Sequence, residues 1–251
     1  MHPALQRDLE YHERLYSGEA QQHFARPAVR ALRRHMVRRI RRLSHADARV
    51  LSIGCGIADT ELLLAPEVKE VVGIDVSPAA IRQARQDAAQ MGVKNVRFVE
   101  GSMEEAEGEF DLIMAIFFLH HLPDELLAPA PDNIRNHLKP GGVFYSLDPN
   151  RRRLSGAVGS LVVPHLMKKY QTRDERELDP KATGRLFEEA GFETQVGYYD
   201  FGSSPLAGLL PEWKMGYDVA RWLDDGLIRV PLVKTLGSNF EIIARGVSET
   251  W

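Results

Sequence analysis

Apolar residues change their spacing along this chain near Arg49, and the change separates two kinds of structure. Between Ala28 and Leu43, the residues Val29, Leu32, Met36, Ile40 and Leu43 recur at steps of three and four, and arginines fill the opposite face. That period predicts an amphipathic helix, with Pro27 where a first turn tolerates it. From Arg49 onward, short apolar runs alternate with helical stretches. RVLSIG (49–54) reads as a buried strand entering a tight glycine turn, and a helix follows across Asp59 to Leu64. EVVGID (70–75) is a second strand, VRFVEG (96–101) a third and FDLIMAIF (110–117) a fourth. Ser77 to Met91 reads as a helix, with Ser77 as N-cap and Pro78 at its first position. Asp124 to Leu138 is another, and Pro140-Gly141-Gly142 turns the chain into VFYSLDP (143–149), the fifth strand. A helix from Asp179 to Ala190 ends at Gly191, and FETQVGYY (192–199) and NFEIIARG (239–246) complete a set of seven strands.

Five strands alternating with helices require a parallel sheet covered on both faces, a doubly wound α/β domain. The sixth and seventh strands lack a clear crossover helix between them, which leaves room for an antiparallel strand at one edge. Residues 151–178 and 201–237 fit no part of the repeat. Both leave from sheet ends where such folds hold ligands, so they read as a helical cap. The expected division is one domain over 1–251, with amino-terminal helices in 1–44, the core in 45–150, 179–200 and 238–247, and the cap in the two insertions.

Composition narrows the class. Among 251 residues, 44% are hydrophobic and 27% charged, enough for a substantial core. The single cysteine, Cys55, leaves no internal disulfide framework and fits a reducing compartment. No spaced set of Cys and His suggests a structural zinc site. The first residues lack the apolar core of a signal peptide, and there is no run of about eighteen apolar residues. The expectation is a cytoplasmic protein. Net charge is −3, yet residues 1–50 carry eleven Arg against five acids, seven of them between Arg30 and Arg42. Arg151, Arg152, Arg153, Lys168 and Lys169 form a second basic cluster.

Candidate chemistry begins at the first turn, Ser52-Ile53-Gly54-Cys55-Gly56-Ile57-Ala58-Asp59. Gly54 and Gly56 allow a backbone path and a close approach that side chains would block. Asp75 ends the second strand, twenty-one residues beyond Gly54. There a carboxylate can accept two hydrogen bonds from a ribose diol. A glycine turn with an acidic capping residue is the bland alternative; Asp75 shifts the balance toward a nucleoside. A dinucleotide fold would place its third glycine at position 59. Asp59 stands there instead, and its charge opposes a pyrophosphate at a helix start. A cationic sulfonium cofactor, which has no phosphate, tolerates that carboxylate.

In these residues the chain resembles the class I S-adenosylmethionine-dependent methyltransferases. The resemblance covers 45–150 by motif, and 179–200 with 239–246 by order of elements. The family's first motif is an acid followed by x-G-x-G-x-G. In SIGCGIA, Gly54 and Gly56 match, Ala58 replaces the third glycine and Ser52 replaces the acid. The resemblance implies a Rossmann-like fold in which Asp75, within VVGIDVSP, binds the ribose, with Val76 beside the adenine. Ser102 and Met103, in VEGSMEE, fall at the adenine-amide position. FDLIMAIFFLHHL (110–122) looks like the fourth motif, bringing Ile116 and Phe117 to the cofactor, and LKPGGVFYSLDPN (138–150) looks like the fifth. Ser52 and Cys55 belong to the same cofactor loop; Cys55 reads as a small filler between glycines rather than a nucleophile.

The implied reaction is methyl transfer to an O, C or N atom of a small-molecule substrate, a hydrophobic or lipid-linked metabolite, leaving S-adenosylhomocysteine. Such a displacement needs alignment and exclusion of water, and an oxygen or carbon acceptor also needs its proton removed. His120 and His121 follow the fourth strand at the sheet end where the methyl group is expected, and one of them is the candidate base. For His121 packing or capping is the favoured role; for His120 the two readings stand level. Ubiquinone-pathway methyltransferases, which the chain resembles in the fourth motif, carry acids there that suit a divalent metal. Here the corresponding positions hold Phe117 and His120, so no metal is expected. Tyr11, His12 and Tyr16 sit in a segment that often folds over the cofactor in the family. With Asp148 and Asn150, beyond the fifth strand, they are candidate substrate contacts.

Two readings remain for the cap. RRRLSGAVGSLVVPHLMKK (151–169) and the aromatic-rich stretch 206–227 suit an interfacial segment meeting anionic lipid, or a lid whose apolar residues pack on the core. The first would give peripheral membrane contact and a hydrophobic or lipid-linked acceptor. Nucleic acid is not expected, since basic and aromatic residues are not interleaved. Two rival functions are a non-catalytic module that only binds the cofactor, suggested by Ser52, and a nicotinamide-dependent oxidoreductase, which Asp59 opposes. The acceptor atom and the oligomeric state are left open.

Overall fold

The change of spacing near Arg49 marks where the sheet begins. A computed structural model of the chain describes residues 9, 13, 25–155 and 176–246. The amino-terminal arginine-rich helix, α1, spans Pro27–Arg41 and buries Ala28, Val29, Leu32, Met36, Val37 and Ile40. There follow β1 (Arg49–Ile53), the short α2 (Glu61–Leu64), β2 (Glu70–Asp75), α3 (Pro78–Met91), β3 (Val96–Glu100) and β4 (Phe110–Ile116). The chain continues through α4 (Asp124–Leu127), α5 (Ala130–His137), β5 (Leu138–Pro149), α6 (Pro180–Glu189) and β6 (Phe192–Asp200). Helices α7 (Ser203–Leu209) and α8 (Lys214–Leu227) then lead to β7 (Asn239–Gly246).

The seven strands form one sheet in the order β3-β2-β1-β4-β5-β7-β6. β1 pairs in parallel with β2 and β4, β2 with β3, and β4 with β5, whereas β7 is antiparallel to both β5 and β6. The antiparallel pairing lies at the edge where the sequence left room for it, with β7 one place in and β6 outermost.

Alternation along the strands feeds two cores. Leu51, Ile53, Ile113, Phe144 and Ile242 face Ile134 of α5 and Phe187 of α6. Val50, Leu112, Met114, Tyr145 and Leu147 face Leu32, Met36 and Ile40 of α1, together with Ala207 of α7 and Tyr217 of α8. The insertion 201–237 thus lies, through α7 and α8, against α1 and β6. It also helps to bury that face.

Two boundaries differ from the sequence reading. The single helix expected over 124–138 is divided, because Pro129 lacks the N–H that an unbroken helix requires. Pro140-Gly141-Gly142 does not separate elements but bulges within β5, where Phe110 pairs with Leu138 and Leu112 already pairs with Val143. Lys139 Nζ pins the bulge to Asp111 at 2.8 and 2.9 Å.

Candidate active site

Because β1, β2, β4 and β5 are parallel, their carboxyl ends share one edge. After β1, the N–H groups of Gly54 and Cys55 donate to Ile74 O at 2.8 and 3.0 Å. Gly54 (φ +66°), Gly56 (φ +52°) and Ala58 (φ +62°) all take left-handed backbone angles. A Cβ on Gly54 would stand 2.2 Å from Cδ2 of Phe118, so the ring after β4 lies directly on the turn. Ala58 holds the conformation that a third glycine would adopt freely, at a cost of about 1 kcal/mol. Cys55 turns its side chain inward among Ala58, Leu62, Ile81 and Phe98, and only its backbone faces the turn's open side. Burial pushes its thiol well up, as an inert filler requires.

Asp75 ties the two strand ends together. Its Oδ2 accepts from Gly56 N–H at 2.8 Å and its Oδ1 from Ser77 N–H at 2.9 Å. A carboxylate oxygen accepts more than one hydrogen bond, which is the chemistry that a ribose diol requires. Val76 beside it is exposed. Ser77 caps α3 by accepting from Ala80 N–H at 3.1 Å and donates its own proton to Glu13 Oε1 at 2.5 Å. Ala79 N–H donates to the same Glu13 oxygen at 2.9 Å. Glu13, which sequence reasoning missed, thus stands beside the Asp75 edge. Tyr11, His12 and Tyr16 lie outside the described residues.

The loop after β3, which carries Ser102 and Met103, opens with a helical cap. Ser102 Oγ donates toward Glu105 Oε2 (2.8 Å) and Glu104 Oε2 (3.0 Å), and Ser102 N–H donates to Glu105 at 2.6 Å. Ser102 therefore closes a capping box. Met103 is half-buried against the core.

At the end of β4, Ile116 is half-buried and Phe117 adopts φ +54°, with its N–H donating to Leu147 O at 2.7 Å. Such an angle on a bulky residue persists only where the surroundings hold it. Here the reversal sends Phe117 toward α1, where Arg33 lies 5.9 Å from its ring centroid, and Phe118 toward the glycine turn. His120 follows, largely buried. Its Nδ1 lies 3.0 Å from Asp148 Oδ1, and its backbone N–H donates to the same oxygen at 3.2 Å. His121 packs beside it, with ring centroids 4.0 Å apart.

Asp148 is fully buried and serves His120 rather than facing the site mouth, which corrects its assignment as a substrate contact. Asn150 needs the same correction. Its Nδ2 donates to Thr235 O (3.0 Å) and Gly237 O (2.8 Å) and its Oδ1 accepts from Arg152 N–H (3.0 Å), so the amide clamps the turn before β7.

Ser52 is also buried, and its Oγ donates to Glu61 Oε1 of α2 at 2.6 Å. The second oxygen of Glu61 is buried without a hydrogen-bond partner. Asp59 turns to Arg33 of α1, at 2.6 Å. The carboxylate beside the first turn is therefore Glu61, not Asp59. Among the described residues, no group of three or more His, Cys, Asp or Glu is arranged to hold a metal ion.

The family profile described as "Methyltransferase domain" matches residues 50–142, the stretch that contains this edge of the sheet. An uncharacterized methyltransferase of Bacillus subtilis, YcgJ, is 34% identical over 106 residues, 41% of this chain and 41% of its own length. The ubiquinone biosynthesis O-methyltransferase of Chromobacterium violaceum is 30% identical over 163 residues, 62% of this chain and 69% of that enzyme. The chain belongs to the class I S-adenosylmethionine-dependent methyltransferases. The fold agrees: the structure of DhpI in complex with S-adenosylhomocysteine superposes with a TM-score of 0.64 at 15% identity, over 98% of both chains. The chain spans 41 to 66% of the length of the first curated relatives that it matches.

The residues present fit the family's cofactor. The left-handed glycine turn opens the backbone, Asp75 offers acceptors suited to a ribose, and the orphaned Glu61 oxygen offers one suited to a cation. A phosphate at the same turn would meet Glu61 unscreened.

Proposed function

We propose that this chain transfers a methyl group from S-adenosylmethionine to a small hydrophobic acceptor that loses a proton, a hydroxyl or an acidic carbon. The cofactor supplies an electrophilic methyl carbon and leaves as a neutral thioether. Gly54, Gly56 and Asp75 hold the nucleoside, and Phe118 closes the glycine turn against water. The observation that carries catalysis over mere binding is the His120–Asp148 pair. Asp148 accepts the Nδ1 proton, which leaves Nε2 of His120 as the basic nitrogen, and its charge stabilises the imidazolium formed when that nitrogen takes the acceptor's proton. A non-catalytic module has no use for such a buried pair. The name of the Chromobacterium violaceum relative, an O-methyltransferase, supports oxygen as the acceptor atom.

The test is formation of S-adenosylhomocysteine from S-adenosylmethionine across a panel of phenols and enols bearing apolar substituents. Turnover that fails in His120→Asn while S-adenosylhomocysteine binding persists supports the reading. Binding without turnover across the panel would reduce the chain to a module.

A membrane-surface setting for the acceptor is favoured by α8. Met215, Val219, Trp222 and Leu223 lie at helical spacing and are 70, 54, 74 and 51% exposed, an apolar face left open beside the arginine-bearing α1. A Trp-bearing apolar face near basic residues suits anionic lipid. Co-flotation with vesicles containing phosphatidylglycerol at low salt, lost in Trp222→Glu, is the expected result; absence of flotation overturns it. Among the described residues no helix is long and apolar enough to cross a membrane.

A further inference from the structure

The first motif of this chain lacks its acid, because Ser52 stands where the family's pattern has a carboxylate. The structure supplies another from a different element. Glu61, the first residue of α2, reaches back to the end of β1, and its Oε1 accepts the Ser52 hydroxyl proton at 2.6 Å. We infer that Glu61 takes over the missing position and accepts the α-ammonium group at the methionine end of the cofactor. The inference rests on the cofactor reading above.

Three observations lead to it. Glu61 is 97% buried, since its relative exposure is 3%, and its Oε2 has no hydrogen-bond partner. A buried carboxylate oxygen without a donor is costly unless a donor arrives. The nearby guanidinium does not fill that role: Arg33 directs its Nε to Asp59 Oδ2 at 2.6 Å. Two carboxylates thus share one arginine, and a second cation is wanted. Finally, the serine makes room. A short hydroxyl at 52 both admits the longer Glu61 side chain and donates to it, whereas an acid there would repel it.

The charged and titratable groups around Glu61 are Asp59 from the same loop, Arg33 from α1 and the buried thiol of Cys55. Burial, with Asp59 adding to it, pushes the Glu61 carboxyl up to about 7 against the opposing pull of Ser52 and Arg33. An arriving ammonium favours the ionised form, so binding near neutral pH releases a proton.

Calorimetric titration of the full chain with two probes separates the alternatives. S-adenosylhomocysteine carries the amino-acid end, whereas methylthioadenosine has the same nucleoside and lacks that end. Glu61→Gln keeps the side-chain shape and the Ser52 contact. It is expected to weaken S-adenosylhomocysteine by about 10- to 100-fold, the range of a charge-assisted hydrogen bond, and to leave methylthioadenosine unchanged. Proton release, read from titrations in phosphate and Tris at pH 7, is expected for wild type and lost in Glu61→Gln. The double variant Ser52→Asp/Glu61→Gln, which returns the acid to the motif position, is expected to regain affinity for S-adenosylhomocysteine. Equal weakening of both probes, or none, overturns the inference and leaves the cofactor reading intact. Wild-type protein that binds neither probe overturns both.

Discussion

Asp148 Oδ1 meets two groups of the same residue: it accepts from the backbone N–H of His120 at 3.2 Å and lies 3.0 Å from the ring Nδ1. One oxygen thereby fixes both where the histidine sits and which way its ring faces. Asp148 lies near the end of β5 and His120 in the short turn Leu119–His121 that follows the neighbouring parallel strand β4. Asp148→Asn is expected to keep both contacts through its amide oxygen, because the flipped amide would set its NH2 against the backbone N–H of His120, and to remove the negative charge that stabilises the imidazolium. Turnover should fall by at least about 100-fold with cofactor affinity unchanged. Steady-state kinetics beside titration with S-adenosylhomocysteine checks this, and an equal loss of affinity would point to a structural role.

Gly54 is required twice, by its left-handed φ and by Phe118. Gly54→Ala places a Cβ 2.2 Å from the Phe118 ring and should cost about 1–3 kcal/mol of stability along with cofactor binding. Thermal unfolding of Gly54→Ala and of Gly54→Ala/Phe118→Leu separates the causes. Recovery in the double variant identifies the ring clash; no recovery identifies the backbone angle.

The pH dependence of stability should carry the signature of Glu61. Its folded carboxyl, pushed by burial to about 7, lies above the ordinary value of 4.5. A raised carboxyl pKa means that the folded state binds the proton more tightly. The corresponding stability is fully present below about pH 4.5 and lost as pH rises through about 7. The loss is on the order of 3 kcal/mol. Urea unfolding at pH 5 and pH 8 should show that fall in wild type and a smaller one in Glu61→Gln. Identical profiles would mean that Glu61 ionises in the folded protein as it does in water.

Arg39 anchors α1 to the sheet through Glu241 of β7, which also accepts from Tyr145 OH at 3.2 Å. Glu241 is 1% exposed. Arg39→Ala strands that charge and is expected to cost about 3 kcal/mol, whereas Arg39→Ala/Glu241→Gln should recover part of the loss. Denaturant midpoints of the two variants decide it; equal midpoints would remove the pair from the account of stability.

The doubly wound core was legible because its signals are local. Buried parallel strands read as short apolar runs, the α3 cap needs only Ser77 and Pro78, and the glycine turn with Asp75 twenty-one residues later is a spacing along one chain. The strand order was less legible at the far edge. Whether β7 inserts between β5 and β6 or adds outside them depends on pairing between segments some fifty to a hundred residues apart, and no local pattern encodes it.

The site divides in the same way. By itself the sequence determined which residue types stand at the ends of β1, β2, β4 and β5, and so the kind of ligand that the edge can take. Only the tertiary structure decided what each does. Asp148 and Asn150, two residues apart, serve different partners, one His120 and the other the turn before β7. Ser52 read as a lost acid until α2 folded Glu61 against it. Asp59 read as a charge at the turn until α1 brought Arg33 to it. Spacing along a chain fixes where a side chain starts, but hydrogen bonds and charge pairs are made across space, by groups that packing brings within about 3 Å of one another.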